Sequence, residues 1–353
     1  MQTMQTAAAD GAATGTAREA ADVLVRARRL VDPALRAAVD TLPGAMHRIN
    51  GYHLGWLDAA GQPTGAGVGK VVRPALVMAA AEAFGGRAED CVPAAAAVEL
   101  VHNFTLLHDD VMDNDATRRH RPTAWAVFGV PDAILAGDAL HGLAQRLLAD
   151  DPHPASARAA GRLASCLIEL CEGQHADCAF ETRTDVSIEE CLAMAEAKTG
   201  ALLGSACALG ALYAGAGEPA VAAMDAFGRQ IGLAFQLIDD LIGIWGDPAV
   251  TGKQTGADLV ARKKSLPVVA ALVSGTAAGA QLAELYFGDQ PLGPEEVRRA
   301  ARCVEQAGGR EWARAQADRR IAAALAQFEL LVPDQARGRD LLLLAELVTR
   351  RDH

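Results

Sequence analysis

Aromatic residues are scarce in this chain: Phe, Trp and Tyr together make up only 4% of its 353 residues, whereas alanine is abundant. Because alanine favours helices while aromatic residues favour strands, the composition predicts an all-α fold. The alternation of polar and apolar residues that indicates strands is nowhere sustained, whereas helical periodicity continues almost to the C-terminus. With 51% hydrophobic residues, the chain is long and apolar enough to bury a large core.

The cysteines form no closely spaced pairs. There are seven, an odd number, and no Cys-x-x-Cys motif occurs. This pattern predicts no disulfide framework, which is typical of a reducing compartment, so we expect a cytoplasmic location. Cys171 and Cys178 lie seven residues apart on one stripe of a helix and are interpreted as small core residues.

The chain also lacks the signs of a membrane segment and of a nucleic-acid partner. The N-terminus has no basic stretch followed by an apolar one, as a signal peptide would have. The longest uncharged run, residues 199–217, is rich in Gly and Ala with few large aliphatic residues, so it predicts a tightly packed buried helix. The net charge of −11 argues against nucleic acid, although clustered cations would still bind a phosphate ligand.

The chain is predicted to hold one domain behind a short leading segment. Residues 1–18 are small and polar without periodicity, which predicts disorder, and residues 19–353 are predicted to form a single domain. Within it, residues 51–69 are loop-like, with glycine and proline throughout. Helix starts are predicted at Ser187, a favourable N-cap residue, and at Pro294.

Two apolar helical stretches end in clustered aspartates. The first leads to Asp109, Asp110 and Asp113, and the second leads to Asp239 and Asp240. On a helix, Asp109 and Asp113 share a face with Asp110 on its flank, so their carboxylates repel one another unless a cation neutralises them. Two interpretations remain, a solvated acidic helix end or a divalent-cation site. Donors that are all oxygen suit Mg²⁺ rather than Zn²⁺.

Short motifs surround these aspartates in a fixed order. They are GKVVRP at 69–74, DDVMD at 109–113 followed by two arginines, GQHAD at 173–177, KTG at 198–200, FQLIDD at 235–240, GDPAVTGK at 246–253 and DLVARKKSLP at 258–267. In this order they resemble the motifs of the trans-isoprenyl diphosphate synthases, also called polyprenyl synthetases. The resemblance covers residues 70–267, and this many ordered matches make coincidence negligible.

The resemblance implies a fold and a reaction. The fold is an isoprenoid synthase-type helical bundle around a deep central cavity, and the enzyme is a homodimer. The reaction condenses isopentenyl diphosphate with an allylic diphosphate: dimethylallyl, geranyl or farnesyl diphosphate. Mg²⁺ and fixed cations neutralise the leaving diphosphate, and the allylic carbon then alkylates the double bond of isopentenyl diphosphate. No nucleophilic side chain is required, and the chain contains no Gly-x-Ser-x-Gly motif.

Carried over residue by residue, the resemblance implies two diphosphate sites. The allylic diphosphate would be held through three Mg²⁺ ions, for which Mn²⁺ is a possible substitute. The metal ligands would be Asp109, Asp110, Asp113, Asp239 and Asp240, with Arg118, Lys198 and Lys253 on the same diphosphate. Isopentenyl diphosphate would be bound without metal by Lys70, Arg73, His102 and Arg119. Further residues implied at the substrates are Thr199 and Gln236 beside the reacting carbons, Phe235 facing the homoallylic substrate, and Lys263.

Two positions depart from the motifs of the family. The second aspartate motif usually ends in a third Asp, and Gly243 stands in that place, while Asp247 lies further along the chain. Val71 replaces a frequent Arg between Lys70 and Arg73, which are both retained. The resemblance assigns most of the metal contact in the second motif to its first Asp, so we expect activity to persist.

Product length is implied by the residues just before the first aspartate motif. Phe104 and Thr105 stand five and four positions before Asp109. In this family these positions form the floor of the product cavity, and one Phe followed by a small residue resembles geranylgeranyl diphosphate synthases, so a C20 product is expected. Ideal helix geometry places Thr105 near the Asp109 face but Phe104 well around the helix, so another helix could also supply the floor.

Other functions remain open at this point. A farnesyl or longer polyprenyl diphosphate synthase would share every motif. A class I terpene cyclase shares the fold and the first aspartate motif, but it usually carries an Asn/Ser/Glu metal motif in the second cluster and has no use for Lys70 and Arg73. A non-catalytic subunit of a heteromeric synthase is supported only by Gly243.

Overall fold

A computed structural model describes residues 2–65, 69, 71–247, 255–288, 290–332, 334 and 336–349, with side chains from residue 16 onward. Lys70 and Lys253, two of the predicted diphosphate ligands, lie outside the described residues. The chain divides into two compact units, the first comprising residues 1–167, 205–225 and 328–347 and the second 168–204, 226–327 and 348–353. The predicted boundaries, a segment 1–18 and a single domain 19–353, stay predictions.

Nearly all regular structure in the described residues is helical. In chain order the first elements are α1 (Gln2–Asp40), α2 (Gly44–His53), α3 (Val72–Ala83), a 3₁₀ turn (Ala88–Cys91), α4 (Val92–Met112), β1 (Thr117–Arg118), β2 (Arg121–Pro122), α5 (Ala124–Phe128) and α6 (Val130–Ala149). They are followed by α7 (Ser156–Phe180), α8 (Ile188–Ala195), a π-helix (Glu196–Gly200), α9 (Ala201–Tyr213), α10 (Glu218–Trp245), α11 (Ala257–Val260), α12 (Leu266–Leu272), α13 (Ala277–Tyr286), α14 (Pro294–Gln306), α15 (Gly309–Leu331) and α16 (Arg339–Thr349). The predicted all-α fold is therefore confirmed.

Helix α1 extends further towards the N-terminus than the sequence predicts. It begins at Gln2, so the backbone of residues 2–18 is helical where an irregular segment is expected. The alanine-rich composition of this segment has high helix propensity, which accounts for the extension. The buried stripe of α1 begins only at Ala20 and continues at helical spacing through Val23, Ala27, Val31 and Leu35.

Small residues bring the helices of the first unit close together. A Cβ added at Gly137 of α6 would lie only 2.5 Å from His108 Cδ2 of α4, and one added at Gly210 of α9 would lie 2.7 Å from Ala80 Cβ of α3. Every residue of α9 is buried, so the prediction of a packed helix in the 199–217 run is confirmed. The close approach at Gly137 packs α6 against α4, which carries the first aspartate motif.

In the second unit, local sequence signals start the helices as predicted. Ser187 caps α8 through a capping box with Glu190, and Pro294 is the first residue of α14. The core beneath α8 and α10 includes Leu237 and Val269, both at most 1% exposed. Because Leu237 belongs to α10, this core fixes the part of α10 that carries the second aspartate motif.

All seven cysteines are free, so the prediction of no disulfide framework is confirmed. The interpretation of Cys171 and Cys178 as core residues is wrong, because Cys171 is exposed and Cys178 is only half-buried. Spacing on a helix places two residues on one stripe, but it does not decide whether that stripe faces the core.

One pair of helices meets a simple membrane-span test. Within the described residues, no helix alone is long and apolar enough to cross a membrane. The helices α12 and α13 meet the criteria only when taken together, and they are bent by 118° relative to each other.

Candidate active site

The first aspartate motif stands at the C-terminal end of α4. Asp109 is half-buried in the last turn, and Asp113 is the exposed C-cap residue, whose backbone N–H donates to the Asp109 carbonyl at 2.8 Å. The C-terminal end of a helix carries a partial negative charge, which adds to the charge of these carboxylates. This helix end therefore attracts a cation.

Asp110 differs from its two neighbours because it is buried, with only 1% of its surface exposed. Arg118 Nε donates to Asp110 Oδ1 at 2.7 Å, and Asp110 Oδ2 is buried with no hydrogen-bond partner among the described residues. Burial raises the pKa of the Asp110 carboxyl, and the nearby Arg118 guanidinium opposes that rise. Asp110 therefore positions Arg118 in this structure, and its assignment as a metal ligand stays a prediction.

The donors at this helix end fit Mg²⁺. They are all carboxylate oxygens, and one of them, Asp110 Oδ2, is a buried oxygen without a hydrogen bond among the described residues. Across all the residues that the structure describes, no group of three or more His, Cys, Asp or Glu side chains is arranged to hold a metal ion. Mg²⁺ typically takes only one or two carboxylates and completes its shell with water and phosphate oxygens, so the site suits an ion that binds together with a diphosphate.

A short β-hairpin with a two-residue turn follows the motif and carries the arginines. Strands β1 and β2 pair antiparallel with Arg118 opposite Arg121, and the turn between them consists of Arg119 and His120. Both turn residues have positive φ, 52° for Arg119 and 60° for His120, which is the backbone of a type I′ turn. Residues other than glycine adopt this conformation at an energetic cost, and such strain is concentrated at functional sites.

The turn directs Arg119 back towards the first basic motif. An added Cβ at Gly69 would lie 2.8 Å from Arg119 Nη2 and 3.0 Å from its Cζ, so the guanidinium packs directly against Gly69. Arg28 of α1 donates a hydrogen bond to the Gly69 carbonyl and holds this residue from the other side. Gly69 immediately precedes the predicted ligand Lys70.

A pocket of about 190 Å³ opens beside the hairpin. Its wall includes three arginines, the histidine at the end of α2 and the buried aspartate of α4. The lining residues are Tyr52, His53, Leu54, Gly55, Leu106, Asp110, Arg118, Arg119, Arg121, Pro122, Thr123 and Ala124. Three guanidinium groups against one carboxylate make the pocket suitable for an anion with several oxygens, such as a diphosphate.

Two histidines near this pocket are held in the neutral form. Burial lowers the pKa of His53 to about 3, with the charges of Arg118 and Arg119 adding to the effect. Burial likewise lowers the pKa of His102 well below its usual value, and Arg73 and Arg119 add to that effect. Each ring therefore offers one N–H donor and one acceptor near neutral pH instead of a further positive charge.

A buried carboxylate supports the basic residues. Glu99, one turn before Asn103 on α4, is 5% exposed, and Asn103 Nδ2 donates to the Glu99 carbonyl at 2.8 Å and to Glu99 Oε1 at 3.3 Å. Burial raises the pKa of Glu99, and the charges of Arg73 and Arg119 lower it. Of the predicted ligands for isopentenyl diphosphate, the structure thus places Arg73, His102 and Arg119 in one neighbourhood.

Val71 lies between two predicted ligands in a strained backbone conformation. It has φ 49° and ψ 36°, in the left-handed region, and serves as the N-cap of α3 with 2% of its surface exposed. A β-branched residue in this region is a genuine outlier. Val71 immediately precedes the helix that carries Arg73.

In the second unit, a π-helix presents the KTG motif. The segment Glu196–Gly200 adds one residue to the helical turn between α8 and α9, as often happens at functional sites. Lys198 Nζ donates to Asp177 Oδ2 at 2.5 Å, and both residues line a small pocket of about 20 Å³. Asp177 of the GQHAD motif therefore orients Lys198.

A hydrogen-bonded chain connects this motif to the second aspartate motif. Thr199 Oγ1 donates to Gln236 Oε1 at 2.7 Å, and Gln236 Nε2 donates to Asp240 Oδ1 at 2.7 Å. Asp240 Oδ2 accepts from the backbone N–H of Leu266 at 2.9 Å, so both of its oxygens are engaged. Burial raises the pKa of Asp240 to about 6, and the nearby charge of Lys263 opposes this rise. These contacts anchor Asp240 within the protein, and its assignment as a metal ligand stays a prediction.

Two further predicted residues flank this chain in sequence on α10, and a third lines the small pocket. Phe235 and Asp239 are half-buried on α10, and Lys263 lines the small pocket together with Lys198 and Gln236. Their roles towards substrate and metal stay predictions, as does that of Lys253.

Glycines at Gly173, Gly200 and Gly232 allow the helices of this site to touch. A Cβ at Gly173 of α7 would lie 2.5 Å from the Lys198 backbone nitrogen, and one at Gly232 of α10 would lie 2.7 Å from Gly200 Cα. Neither contact can relax by rotating a side chain, because the opposing atoms belong to the backbone.

We therefore expect Gly173→Ala to lower both stability and activity. Overpacking against the backbone at Lys198 should reduce the free energy of unfolding by about 1–3 kcal/mol. Gly161→Ala is the matched control, because Gly161 lies on the same helix with no atom within 4 Å of an added Cβ. Urea unfolding of both variants tests this, and equal midpoints for the two would contradict the packing argument.

Phe104 and Thr105 occupy different surroundings. The Phe104 ring packs edge-on against His108, with centroids 4.6 Å apart, and against His141 of α6 at 5.7 Å. His108 Nε2 lies 3.0 Å from the Ile134 carbonyl. Thr105 Oγ1 donates to the His102 carbonyl at 2.8 Å. Phe104 is thus braced by α6, as a floor residue would need to be.

Sequence reasoning missed several residues around the pocket. His53, Tyr52 and Arg121 lie in or next to the loop-like stretch and the arginine cluster, and no spacing signal connects them. Arg121 could have been found from its place in the basic cluster, and its guanidinium stacks 4.5 Å from the Tyr52 ring centroid. Glu99 gave a signal as a lone charge within an apolar helix.

Comparison with known proteins decides the family. Residues 55–305 match the family model described as polyprenyl synthetase. The chain belongs to the polyprenyl synthetase family. It is 49% identical over 331 residues to a geranylgeranyl diphosphate synthase of Mycobacterium tuberculosis, covering 94% of this chain and 93% of that protein. It is 47% identical over 307 residues to a (2E,6E)-farnesyl diphosphate synthase of Mycobacterium bovis, covering 86% of each.

A solved structure gives the same result. The crystal structure of the polyprenyl synthetase from Streptomyces coelicolor A3(2) matches with a TM-score of 0.89 and 46% identity, covering 93% of this chain and 99% of that one. The predicted isoprenoid synthase fold and family are therefore confirmed. The protein is a polyprenyl synthetase, a chain-elongating prenyltransferase that uses isopentenyl diphosphate and an allylic diphosphate.

Proposed function

We propose that this polyprenyl synthetase is a Mg²⁺-dependent geranylgeranyl diphosphate synthase. The observation that carries the proposal is the pairing, in the first unit, of a carboxylate-rich helix end with a pocket walled by three arginines and a neutral histidine. The carboxylates suit a diphosphate that is bound through metal, and the arginines suit one that is bound directly. An enzyme that joins two diphosphates needs both kinds of site.

The residues act by binding and orienting the substrates. Mg²⁺, or Mn²⁺ in its place, would neutralise the allylic diphosphate as its bond to carbon breaks. Arg119, Arg73 and neutral His102 would hold isopentenyl diphosphate so that its double bond attacks the allylic carbon. The new C–C bond forms at the terminal alkene carbon, and we assign the proton then lost to the released diphosphate. Lys198 and Thr199 would stabilise the transient positive charge.

The reaction class is tested by measuring diphosphate release with purified protein and Mg²⁺. The proposal predicts release from an allylic diphosphate only when isopentenyl diphosphate is also present. Release without isopentenyl diphosphate would indicate a terpene cyclase instead. No release with any starter would indicate a non-catalytic subunit. Full activity in Lys198→Ala would remove the role assigned to Lys198.

The C20 product is supported by Phe104, whose ring is braced by His108 and His141. A farnesyl product is the alternative, because one close relative carries that name. A homodimer and a cytoplasmic location are part of the proposal and are supported by the family and by the free cysteines.

Replacing Phe104 by alanine is expected to lengthen the product beyond C20. Removal of the ring leaves space between α4 and α6 into which a longer chain can grow. Leu135→Ala is the control, because Leu135 is a 53% exposed residue of α6 and its truncation removes apolar volume outside the Phe104 contact. Chromatography of the dephosphorylated alcohols measures the length, and an unchanged product would discredit Phe104 as the floor.

A further inference from the structure

The second aspartate motif lacks its third carboxylate in sequence, since Gly243 stands where that Asp is expected. Gly243 follows Asp239 by four residues on α10, so the two positions share one face of the helix. Side chains at this spacing have Cβ atoms about 5–6 Å apart. The Cβ of an aspartate at position 243 would therefore lie beside the Cβ of Asp239.

The space above Gly243 is occupied by another carboxyl group. A Cβ added at Gly243 would lie 2.5 Å from Asp258 Cγ and 2.9 Å from Asp258 Oδ1, and Oδ2 lies closer still. The carboxylate of Asp258 thus packs against the Cα of Gly243. An alanine at 243 would force it to move, because these distances are shorter than real Cβ contacts allow.

Local structure explains how Asp258 reaches this position. Gly256 has φ 77° and forms the N-cap of the short helix α11, which begins at Ala257. A Cβ at Gly256 would lie 2.6 Å from Val297 Cγ1 and 4.0 Å from the Ile244 carbonyl, so α11 begins close to the last turn of α10. Asp258 is the second residue of α11 and faces that turn.

The Asp258 carboxylate is close enough to Asp240 for the two side chains to interact electrostatically. No hydrogen bond among the described residues uses the Asp258 carboxylate, although its backbone carbonyl accepts from the Lys263 N–H at 2.9 Å. The carboxylate is therefore not committed to a structural contact in the described part of the chain.

We propose that Asp258 supplies the carboxylate that position 243 lacks, and that Gly243 is required because it makes room for it. The inference rests on the proposed Mg²⁺-dependent function and deepens it. Asp258 would complete the second aspartate cluster, either by contacting the ion or by accepting hydrogen bonds from water molecules bound to the ion. The third carboxylate of the motif is then supplied from position 258 instead of position 243, which explains why the motifs around it are retained.

The test uses the full chain saturated with inorganic diphosphate and titrated with Mg²⁺ by calorimetry. Asp258→Asn is expected to weaken apparent Mg²⁺ affinity by about tenfold, as loss of a residue supporting a metal typically does. Gly243→Ala should cause a similar loss, because the methyl group displaces the same carboxylate. The double variant should be no worse than either single one, since both changes remove one interaction.

Moving the carboxylate provides the decisive comparison. The variant Gly243→Asp with Asp258→Gly returns the carboxylate to the expected place and is predicted to regain the affinity of the unaltered chain. Asp247→Asn is the control, because Asp247 is another nearby carboxylate and should leave the affinity unchanged. Thermal unfolding without Mg²⁺ checks that every variant is folded.

Unchanged Mg²⁺ affinity in Asp258→Asn, or additive losses in the double variant, would overturn the proposal. A loss in Asp247→Asn alone would assign the role to Asp247 instead and would equally overturn it. Failure of the proposed function looks different, because the unaltered chain would then show no condensation in the diphosphate-release assay, whatever the titrations gave.

Discussion

Replacing Asp109 by asparagine is expected to lower kcat by about 10²–10³-fold, the loss that follows removal of one group stabilising developing charge. Asp109 lies in the last turn of α4 beside the C-cap residue Asp113, where the helix end adds negative potential. Asparagine keeps the shape of the side chain but removes its charge. Initial rates at saturating substrates, measured over a range of Mg²⁺ concentrations, should show that excess Mg²⁺ restores part of the lost rate.

The matched control for this variant is Glu89→Gln. Glu89 is an exposed carboxylate in the 3₁₀ turn before the same helix, and it pairs with Arg87 at 3.6 Å. The same loss of charge there should leave kcat and the Mg²⁺ requirement unchanged. Equal behaviour of the two variants would contradict the role of Asp109 in holding the metal.

Replacing Arg119 by glutamine is expected to raise the KM for isopentenyl diphosphate by about 10–10²-fold, because a charge-assisted hydrogen bond to its diphosphate is lost. The KM for the allylic substrate should change little. Arg119 reaches the pocket through its left-handed backbone and the space left by Gly69, and it lies near the charge of Glu99. Steady-state kinetics with each substrate varied in turn measure the two constants separately.

His120→Gly is the control, because His120 shares the same turn with φ 60° and its side chain is exposed. Glycine adopts this backbone without strain, so the turn should persist and neither KM should rise. An equal rise in both KM values for Arg119→Gln would instead mean that the hairpin had been disrupted. An unchanged KM for isopentenyl diphosphate would remove Arg119 from that site.

Helix α4 shows what the sequence could predict. An apolar periodic run closed by aspartates defines a helix whose end carries charge, and both its existence and its end follow from patterns within a few residues. The capping box at Ser187 is local in the same way. Family membership followed from motif order, because order along the chain is visible without coordinates.

Other features depended on contacts between distant parts of the chain. The position of Asp258 over Gly243 results from how α11 starts against α10, and no spacing rule predicts it. The π-helix at Glu196–Gly200 differs from an α-helix by one residue per turn, which leaves no clear sequence signal. Glu99 and His53 became meaningful only when the pocket brought them close to the arginines.

Periodicity alone was a poor guide in two places. The alanine-rich residues 2–18 are helical in α1, although their polar, aperiodic sequence predicts disorder. Cys171 shares a helical stripe with Cys178 yet is exposed, because periodicity identifies a face without showing what covers it.

Sizing the product of the unaltered protein tests the proposed function. Purified protein would be incubated with Mg²⁺, labelled isopentenyl diphosphate, and dimethylallyl, geranyl or farnesyl diphosphate in turn, and the dephosphorylated products separated by chromatography. We expect a labelled C20 alcohol that disappears when Mg²⁺ is chelated. A shorter or longer alcohol would refute the length assigned to Phe104. Absence of any labelled elongated alcohol would contradict the proposed function itself.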